Sequence, residues 1–277
     1  MVIQFEKMNG AGNDFIMIDN QQGTIRLVPE WIRKLCDRRR GIGADGLILI
    51  EPENGADFRM RYYNSDGGEA EMCGNGARCA ALFAKKLGLG RQDDDRVSLR
   101  FAAQPGLFDA KVESNRVSIR MTDATLFEQS VSLPVAGGTE IVHVINTGVP
   151  HAVVVESDVD SMSDREIVER GRLIRSHTRF APQGANANFV SLRNDCTVTI
   201  RTYERGVEGE TLACGTGAVA GALVAAHLHA LHSPVSLITR GGEELKVSFT
   251  LEPNGASDVV LEGPATFNFC GSIELSS

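Results

Sequence analysis

The sequence predicts an α/β protein of the α+β type with two pseudo-symmetric domains, each a curved mixed or antiparallel β-sheet wrapped around one central helix. Three observations predict this fold. The 277-residue chain contains an internal repeat at about half its length, which favours two similar domains over one large domain. Strand-like segments outnumber helical ones, and each half carries one helix rich in Ala and Gly. The helix at residues 215–231 is apolar on almost every face, which is typical of a buried helix.

The repeat is clearest around Cys73 and Cys214, which lie 141 residues apart. Residues 69–77 read EAEMCGNGA and residues 210–218 read ETLACGTGA, so a Glu, the Cys, two Gly and an Ala recur at one offset. Upstream, residues 58–64 (FRMRYYN) match residues 198–204 (VTIRTYE) at an offset of 140. The two halves therefore share a strand, a turn and a helix.

Apolar or alternating runs bounded by turn residues predict the strands. In the first half they cover residues 3–8, 15–19, 47–51, 58–63, 97–102 and 117–121. In the second half they cover residues 139–144, 152–156, 189–192, 196–203, 235–239, 245–251 and 259–262. The predicted helices cover residues 29–39, 74–87, 164–176 and 215–231, with Pro29 suited to a first helical position and Gly88 to a helix stop.

Composition and charge restrict the class of function. A net charge of −8 disfavours a nucleic-acid partner. No run approaches the length of a membrane span and the start of the chain lacks a secretory pattern, so we expect a cytoplasmic protein without a membrane partner. The six cysteines form no C-x-x-C pair and have no close His partner, so we expect no metal site. Four of them are interpreted as structural: Cys36, Cys79, Cys196 and Cys270.

Cys73 and Cys214 are the residues best placed for chemistry. Each precedes Gly-x-Gly-Ala at a predicted helix start, where small residues let a substrate anion approach the backbone N–H groups. The same N–H groups and the helix dipole favour a thiolate. If the two starts face each other, one thiolate removes an α-proton and the opposite thiol returns one, as in a racemase. The competing interpretation, that both cysteines are buried caps of a duplicated fold, is disfavoured by their matched positions.

Six stretches, taken in order, resemble the diaminopimelate epimerase family over nearly the whole chain. They are residues 8–15 (MNGAGNDF), 41–46 (GIGADG), 64–67 (NSDG), 73–79 (CGNGARC), 148–151 (GVPH) and 203–206 (YERG) followed by 210–217 (ETLACGTG). The resemblance implies an enzyme without a cofactor that interconverts LL- and meso-2,6-diaminopimelate on the route to lysine and peptidoglycan. It also implies a homodimer and two domains, residues 1–122 with 264–277 and residues 123–263.

The resemblance implies roles for individual residues as well. Cys73 and Cys214 would be base and acid, and His151 and Glu204 would polarise the thiols, with the pairing left open. The side chains that hold the substrate would be Asn13, Asn64, Asn186 and Arg205, and the backbone N–H groups that hold the reacting carboxylate would be those of Gly74, Asn75, Gly215 and Thr216. Arg205 is suited to a bidentate grip on the distal carboxylate.

Several residues have plainer interpretations when the residue pattern is taken alone. His151 fits a loop before a strand, and Glu204 fits a solvent-facing strand end. Glu69 and Glu210 fit first-turn carboxylates that favour the helix dipole. Arg78 is expected to pair with a surface acid.

Other functions stay open at this stage. Val149 stands where many family members have Asn, and Gly46 where some have Gln, so the nearest alternative is a racemase of another amino acid on the same fold. An isomerase with a carboxylate base is disfavoured because both thiol positions are filled. A thiol peroxidase would also use a cysteine of low pKa. A binding module without catalysis would not need either thiol, and a pyridoxal-dependent racemase is disfavoured because no lysine lies in either cysteine motif.

Overall fold

A computed structural model describes residues 1–70, 72–104, 106–194 and 197–275 of the chain. It confirms the predicted α+β fold, with many strands and few helices. The chain divides into two compact units. The first comprises Met1–Ile119 together with the carboxyl-terminal stretch from Gly263, and the second comprises Arg120–Glu262.

The four predicted helices are present, with ends that differ from the prediction. They are α1 (Pro29–Cys36), α2 (Gly74–Lys86), α3 (Asp164–Arg175) and α4 (Gly215–His229). The prediction ran α1 on to residue 39, but Asp37 is extended and its carboxylate accepts hydrogen bonds from the backbone N–H groups of Arg39 and Arg40. This side-chain turn competes with the helix and ends it. Helix α4 ends before Ala230, which adopts a left-handed conformation.

The strands of the first unit are β1 (Val2–Gly10), β2 (Asn13–Asp19), β3 (Gly46–Glu51), β4 (Phe58–Asn64), β5 (Glu69–Ala70), β6 (Arg91–Asp93), β7 (Arg96–Ala103), β8 (Gly106–Glu113) and β9 (Arg116–Arg120), which extends one residue beyond it. The strands of the second unit are β10 (Thr125–Val135), β11 (Gly138–Asn146), β12 (Pro150–Val155), β13 (Asn186–Asn194), β14 (Thr197–Glu204), β15 (Gly209–Thr211), β16 (Val235–Ile238), β17 (Glu244–Glu252) and β18 (Gly255–Pro264), which continues into the first unit. The last strand, β19 (Thr266–Glu274), belongs to the first unit.

All the predicted strands are present, although residue 196 of one of them lies outside the described residues. Six strands were missed: β5, β6, β8, β10, β15 and β19. Strands β5, β6 and β15 are only two or three residues long, and β8, β10 and β19 are largely exposed. Exposed strands lack the alternating apolar pattern on which the prediction depends.

The two units have sheets with the same number of strands and the same sequence of parallel and antiparallel pairs. In the first, strands follow the order β19-β1-β2-β3-β4-β7-β8-β9, and β2 with β3 and β4 with β7 are parallel pairs. In the second, the order is β10-β11-β12-β13-β14-β16-β17-β18, with β12–β13 and β14–β16 parallel. The short strands β5 and β15 pair with β4 and β14. The repeat seen in sequence is thus a repeat of topology.

One helix lies inside the sheet of each unit and another lies outside it. Helix α2 contacts β1, β2, β3, β4 and β8, and α4 contacts β11, β12, β13, β14, β16 and β17, so each sheet curves around its helix. Helices α1 and α3 cover the other face and close a second apolar core. Helix α4 has 15 residues and is the most apolar of the four. None of the described helices is long and apolar enough to cross a bilayer.

Candidate active site

Both repeated cysteines lie immediately before a helix and adopt the same backbone conformation. Cys73 precedes α2 with φ −122° and ψ 121°, and Cys214 precedes α4 with φ −121° and ψ 117°. Neither thiol caps its helix by a side-chain hydrogen bond. Cys73 is half-buried and Cys214 is buried. Each unit therefore presents one sulfur beside the amide groups of a helical first turn, where negative charge is favoured.

The second glycine of each motif packs against the sheet. A Cβ on Gly76 would lie 2.9 Å from Cδ1 of Ile48, and a Cβ on Gly217 would lie 2.5 Å from Oδ1 of Asn188. The sequence analysis assigned the small residues of these motifs to substrate approach. At these two positions the structure gives a different reason, because the helix touches the sheet there and leaves no room for a side chain.

In the first unit a chain of polar side chains connects Asn13 to the start of α2. Arg78 donates to Oδ1 of Asn75 at 2.8 Å, Asn75 donates to Oδ1 of Asn13 at 2.5 Å, and Asn13 donates to Asp45 at 3.1 Å. A guanidinium only donates and a carboxylate only accepts, so the orientation of both amides is fixed. Asn13 is thereby held in place, and the second N–H of its amide has no acceptor among the described residues.

The expectation that Arg78 pairs with a surface acid was wrong. Its side chain is fully buried, and it also donates to the backbone carbonyls of Gly74 and Pro264, each at 3.3 Å. The start of α2 is enclosed by the sheet and by the returning end of the chain, so the residue one turn into the helix faces the interior.

Acidic and basic groups surround this chain at its outer end. Arg38 donates to Asp14 and to Asp45, and Lys7 forms an ion pair with Asp14 at 2.8 Å. Burial alone would raise the pKa of Asp14, but hydrogen bonds from Arg38 and Lys7 hold it well below its usual range. Asp14 therefore stays ionised and anchors the start of β2, where Asn13 lies.

Asn64 lies at the same sheet edge as Asn13, at the end of β4. It pairs in register with Gly46, and its Oδ1 accepts a hydrogen bond of 2.7 Å from the hydroxyl of Tyr62. A Cβ on Gly46 would lie 2.6 Å from Cε2 of Tyr62 and 2.6 Å from the carbonyl oxygen of Tyr63. The tyrosine ring thus occupies the space beside Gly46, where some members of the resembled family carry glutamine.

In the second unit Glu204 is the partner of Cys214. The thiol of Cys214 donates a hydrogen bond to the Glu204 carboxylate, and the Thr211 hydroxyl donates to the same carboxylate at 2.9 Å. Burial raises the pKa of Glu204, and the two hydrogen bonds oppose that rise only in part. Glu204 is therefore not a solvent-facing strand end. A half-buried carboxylate of raised pKa against a thiol is suited to exchange a proton with it.

His151 and Asn186 lie side by side on the parallel strands β12 and β13. His151 is fully buried within β12, so the loop interpretation was wrong. Its Nδ1 lies 3.0 Å from Nδ2 of Asn188. Oδ1 of Asn186 accepts a 2.7 Å hydrogen bond from the backbone N–H of Arg205, which fixes the chain where β14 ends.

Burial, and to a smaller extent the positive charge of Arg205, lower the pKa of His151 to about 3, while the hydrogen bond with Asn188 opposes the shift. In the unfolded chain the pKa of a histidine is about 6.5. Between pH 6.5 and pH 3 the unfolded state therefore binds a proton that the folded state does not. We expect the free energy of unfolding to fall with decreasing pH in this window, by at most about 1.4 kcal/mol per pH unit from this residue.

Urea unfolding of the wild type and of His151→Gln between pH 4.5 and 7.5 measures this contribution. The slope of unfolding free energy against pH is expected to be steeper in the wild type. Equal slopes would show that His151 does not titrate as described.

The sequence pattern fitted Glu69 and Glu210 as carboxylates in the first turn of a helix. In the structure they lie instead on strands β5 and β15. Glu69 forms an ion pair with Arg61 on β4, and Glu210 forms the equivalent ion pair with Arg201 on β14. Arg201 and Glu210 are nearly buried, with 3% and 12% of their side chains exposed, whereas Arg61 and Glu69 are 43% and 40% exposed. The repeat thus provides the same ion pair in two environments.

Removing the carboxylate is expected to cost far more in the second unit. In Glu210→Gln the buried Arg201 loses its main counter-charge, and we expect the free energy of unfolding to fall by about 3 kcal/mol. In Glu69→Gln the exposed pair contributes at most about 1 kcal/mol. Urea denaturation of both variants tests this difference, and equal losses would contradict it.

Among the other cysteines, Cys36 and Cys79 are buried as predicted, and burial raises the pKa of each thiol to about 12. Such thiols are unreactive at neutral pH. Cys270 is exposed on β19, so it is not one of the buried structural cysteines expected. Cys196 lies outside the described residues.

The predicted site residues thus form one group in each unit. The first comprises Cys73, Gly74, Asn75, Asn13 and Asn64, and the second comprises Cys214, Gly215, Thr216, His151, Asn186, Glu204 and Arg205. In the second group, Oγ1 of Thr216 lies 3.5 Å from the sulfur of Cys214, and Thr147 donates to the carbonyl of Thr216 at 3.3 Å.

Several supporting residues were not predicted from the sequence, namely Asp45, Tyr62, Asn188, Thr202 and Thr211. A signal for Asn188 was present. It lies two residues after Asn186 on β13, and alternate residues of a strand share a face. The other four have side chains common in turns and strands, and nothing in the sequence distinguishes them.

Comparison with known proteins gives a consistent picture. The profile of the family described as diaminopimelate epimerase matches residues 5–127 and 143–268. A diaminopimelate epimerase of Chlorobaculum tepidum is 41% identical over 270 residues, covering 97% of this chain and 100% of that protein. The diaminopimelate epimerase of Aquifex aeolicus is 42% identical over 264 residues, covering 90% of each chain.

Solved structures share the fold at much lower identity. A hydroxyproline epimerase of Agrobacterium vitis superposes with a TM-score of 0.74 at 16% identity, covering 98% of this chain and 91% of that one. A phenazine biosynthesis protein of the PhzF family from Bacillus anthracis gives a TM-score of 0.71 at 14% identity, covering 99% and 100%. At such identities the likeness concerns the fold alone.

Proposed function

From the premise that this chain belongs to the diaminopimelate epimerase family, we propose that Cys73 and Cys214 are the two acid–base groups of its reaction. The chain is an isomerase, and the reaction is the interconversion of LL- and meso-2,6-diaminopimelate. The observation that carries the proposal is the repeat itself. Two copies of one sheet each place a cysteine with the same backbone conformation before a buried helix.

The proposed step conserves protons and charge. One thiolate forms an S–H bond with the α-proton, and the electron pair of the broken C–H bond passes to the α-carbon and its carboxylate. The thiol on the opposite face then gives its proton to that carbon and becomes a thiolate. The configuration at the α-carbon is inverted, and the thiol and the thiolate have exchanged places. The reverse reaction therefore begins with the thiolate on the other cysteine.

Glu204 and His151 would polarise the thiols in this proposal. Glu204 serves Cys214, because the two are hydrogen-bonded. His151 would act through Nε2, which is buried without a hydrogen-bond partner among the described residues.

The remaining site residues hold the substrate. The backbone N–H groups of Gly74, Asn75, Gly215 and Thr216 would bind the reacting carboxylate and stabilise charge that develops on it. The Arg205 guanidinium would grip the distal carboxylate, with its backbone fixed by Asn186. Asn13 and Asn64 would complete the contacts with the distal end of the substrate. The Tyr62 hydroxyl donates a hydrogen bond to Asn64, and its ring occupies the space beside Gly46.

We further propose that the enzyme works in lysine and peptidoglycan precursor synthesis, in the cytoplasm and without pyridoxal phosphate or another cofactor. No lysine lies in either cysteine motif, which supports acid–base chemistry by the thiols alone. No observation favours a racemase of another amino acid over the diaminopimelate reaction.

Incubation with LL-2,6-diaminopimelate in deuterium oxide tests the proposed function. We expect the meso isomer to form with deuterium at the inverted α-carbon, as read by chiral chromatography and proton NMR. Absence of both the meso isomer and the deuterium would contradict the proposal. L-proline and L-glutamate serve as control substrates and are expected to keep their configuration.

We expect the protein to be a homodimer. Strand β19 pairs with β1 and exposes two large aromatic side chains, with Phe267 39% and Phe269 52% exposed. Exposed aromatic side chains of this size favour an interface, and a second copy of the chain is the partner that the family implies. Sedimentation at micromolar concentration is expected to give twice the chain mass for the wild type and a lower mass for Phe269→Asp. A wild-type monomer would contradict the expectation.

A further inference from the structure

Asn188 is a fully buried polar residue that no motif of the sequence singled out. Its Nδ2 lies 3.0 Å from Nδ1 of His151 and 3.4 Å from the backbone carbonyl oxygen of Ala152. Its Oδ1 accepts a hydrogen bond of 3.0 Å from the hydroxyl of Thr202. The amide thus connects three neighbours on two strands, one of which is the histidine of the proposed site.

These contacts fix the orientation of the Asn188 amide. A backbone carbonyl can only accept, so the atom beside Ala152 has to be the NH₂ group. The same NH₂ group then donates to Nδ1 of His151, which leaves Nδ1 without a proton. A neutral imidazole carries one proton, and here it has to lie on Nε2.

The environment keeps the His151 ring neutral. The side chain has no exposed surface, and the charged group that acts on it is the guanidinium of Arg205. Both burial and this positive charge disfavour a second proton. The ring is therefore neutral near pH 7.

Nε2 of His151 is buried and makes no hydrogen bond to any described residue. A buried N–H donor without a hydrogen-bond partner destabilises the folded protein. We therefore expect an acceptor for it, either on a bound molecule or on this protein in another conformation. A thiolate or a substrate carboxylate is such an acceptor. A thiol proton is not, because an Nε2 that already holds a proton has no lone pair with which to accept another.

We propose that Asn188 is a positioning residue that locks His151 as the Nε2–H tautomer, so that His151 acts as a neutral hydrogen-bond donor and not as a base. This rests on the proposed function, in which His151 serves one of the two thiols. The two partners then differ in kind. Glu204 accepts a hydrogen bond and favours the protonated thiol of Cys214. His151 offers a neutral donor, which favours an anionic acceptor such as a thiolate or a carboxylate.

A reaction with one acid and one base requires one thiol and one thiolate, and an acceptor at Glu204 with a donor at His151 suits that requirement. Helix α4 rests on the same amide, since a Cβ on Gly217 would lie 2.5 Å from Oδ1 of Asn188 and 3.2 Å from Oγ1 of Thr202. The Asn188 side chain therefore fixes the tautomer of His151 and also packs against helix α4, which begins after Cys214.

Long-range proton–nitrogen NMR on protein labelled with ¹⁵N-histidine tests the tautomer directly. The chain has six histidines, and the signals that disappear in His151→Gln identify His151. In the wild type at pH 7 we expect a protonated Nε2 and an unprotonated Nδ1. In Asn188→Asp an ionised carboxylate can only accept, so we expect a proton on Nδ1 and at least a tenfold lower kcat.

Two further variants separate this effect from general disruption. Thr202→Val removes only the hydrogen bond to Oδ1 of Asn188 and is expected to lower kcat less than Asn188→Asp does. Thr199→Val is the matched control. Thr199 is a buried threonine on the same strand whose hydroxyl has no hydrogen-bond partner among the described residues, so tautomer and kcat are expected to stay unchanged.

A wild-type His151 with its proton on Nδ1 would overturn the inference, even if Asn188→Asp failed to fold. So would an Asn188→Asp variant with the wild-type tautomer or the wild-type kcat. Failure of the proposed function is a separate result, because it would appear as a lack of epimerisation in the wild type while the tautomer stayed as described.

Discussion

Replacing either Cys73 or Cys214 with alanine is expected to lower the rate of interconversion by about 10²- to 10⁴-fold, the range that one acid–base group contributes. Each variant loses the group on one face of the α-carbon and keeps the group on the other. The remaining thiolate can still remove and return a proton on its own face. We therefore expect each variant to exchange the α-proton of only one isomer for deuterium, without inversion, and the two variants to act on opposite isomers.

Proton NMR of LL- and meso-diaminopimelate in deuterium oxide measures this exchange for each variant. Cys270→Ser is the control, because it removes an exposed thiol that lies at neither helix start. It is expected to keep wild-type activity. If Cys73→Ala and Cys214→Ala exchange the same isomer, or if either inverts configuration at the wild-type rate, the assignment of one thiol to each face is wrong. A peroxidase based on Cys73 would instead keep its activity in Cys214→Ser.

Glu204→Gln is expected to lower kcat by about 10²-fold, since the amide still accepts hydrogen bonds but cannot exchange a proton with Cys214. Burial raises the pKa of Glu204 above its usual range. The carboxylate therefore becomes protonated at a higher pH than that of an exposed glutamate. In the wild type, activity should decline on the acidic side as this group is protonated, and Glu204→Gln should lack that decline.

Steady-state rates between pH 4.5 and 8 provide the comparison. Glu208→Gln is a matched control, because Glu208 is an exposed acid four residues further on whose partner is Arg175. That variant is expected to keep the wild-type pH profile. A Glu204→Gln variant with the wild-type kcat and the wild-type acidic decline would show that the hydrogen bond to Cys214 has no part in the reaction.

The duplicated helix starts were predictable because their signal is local. Glu, Cys, two Gly and Ala at one spacing identify the repeat, and the apolar faces of residues 215–231 identify a buried helix. The motif order identified the family. The strands that carry apolar alternation were predicted as well, whereas β8, β10 and β19 were not, because exposed strands show no such alternation.

The contacts within the site were less predictable because they depend on tertiary structure. Nothing near Arg78 in sequence indicates that the sheet and the end of the chain enclose it. The hydrogen bond between Glu204 and Cys214 joins the end of a strand to the start of a helix ten residues later, and the sequence leaves that choice of partner open. The ion pairs of Glu69 and Glu210 likewise follow from strand pairing that is too short to leave a pattern.

A crystal structure with bound diaminopimelate is the most direct measurement, read as the distances from the reacting α-carbon to Sγ of Cys73 and to Sγ of Cys214. We predict that both sulfurs lie within about 3.5 Å of that carbon, on opposite faces, as a near-attack geometry requires. A bound substrate with one sulfur in reach and the other remote, or with both on the same face, would contradict it.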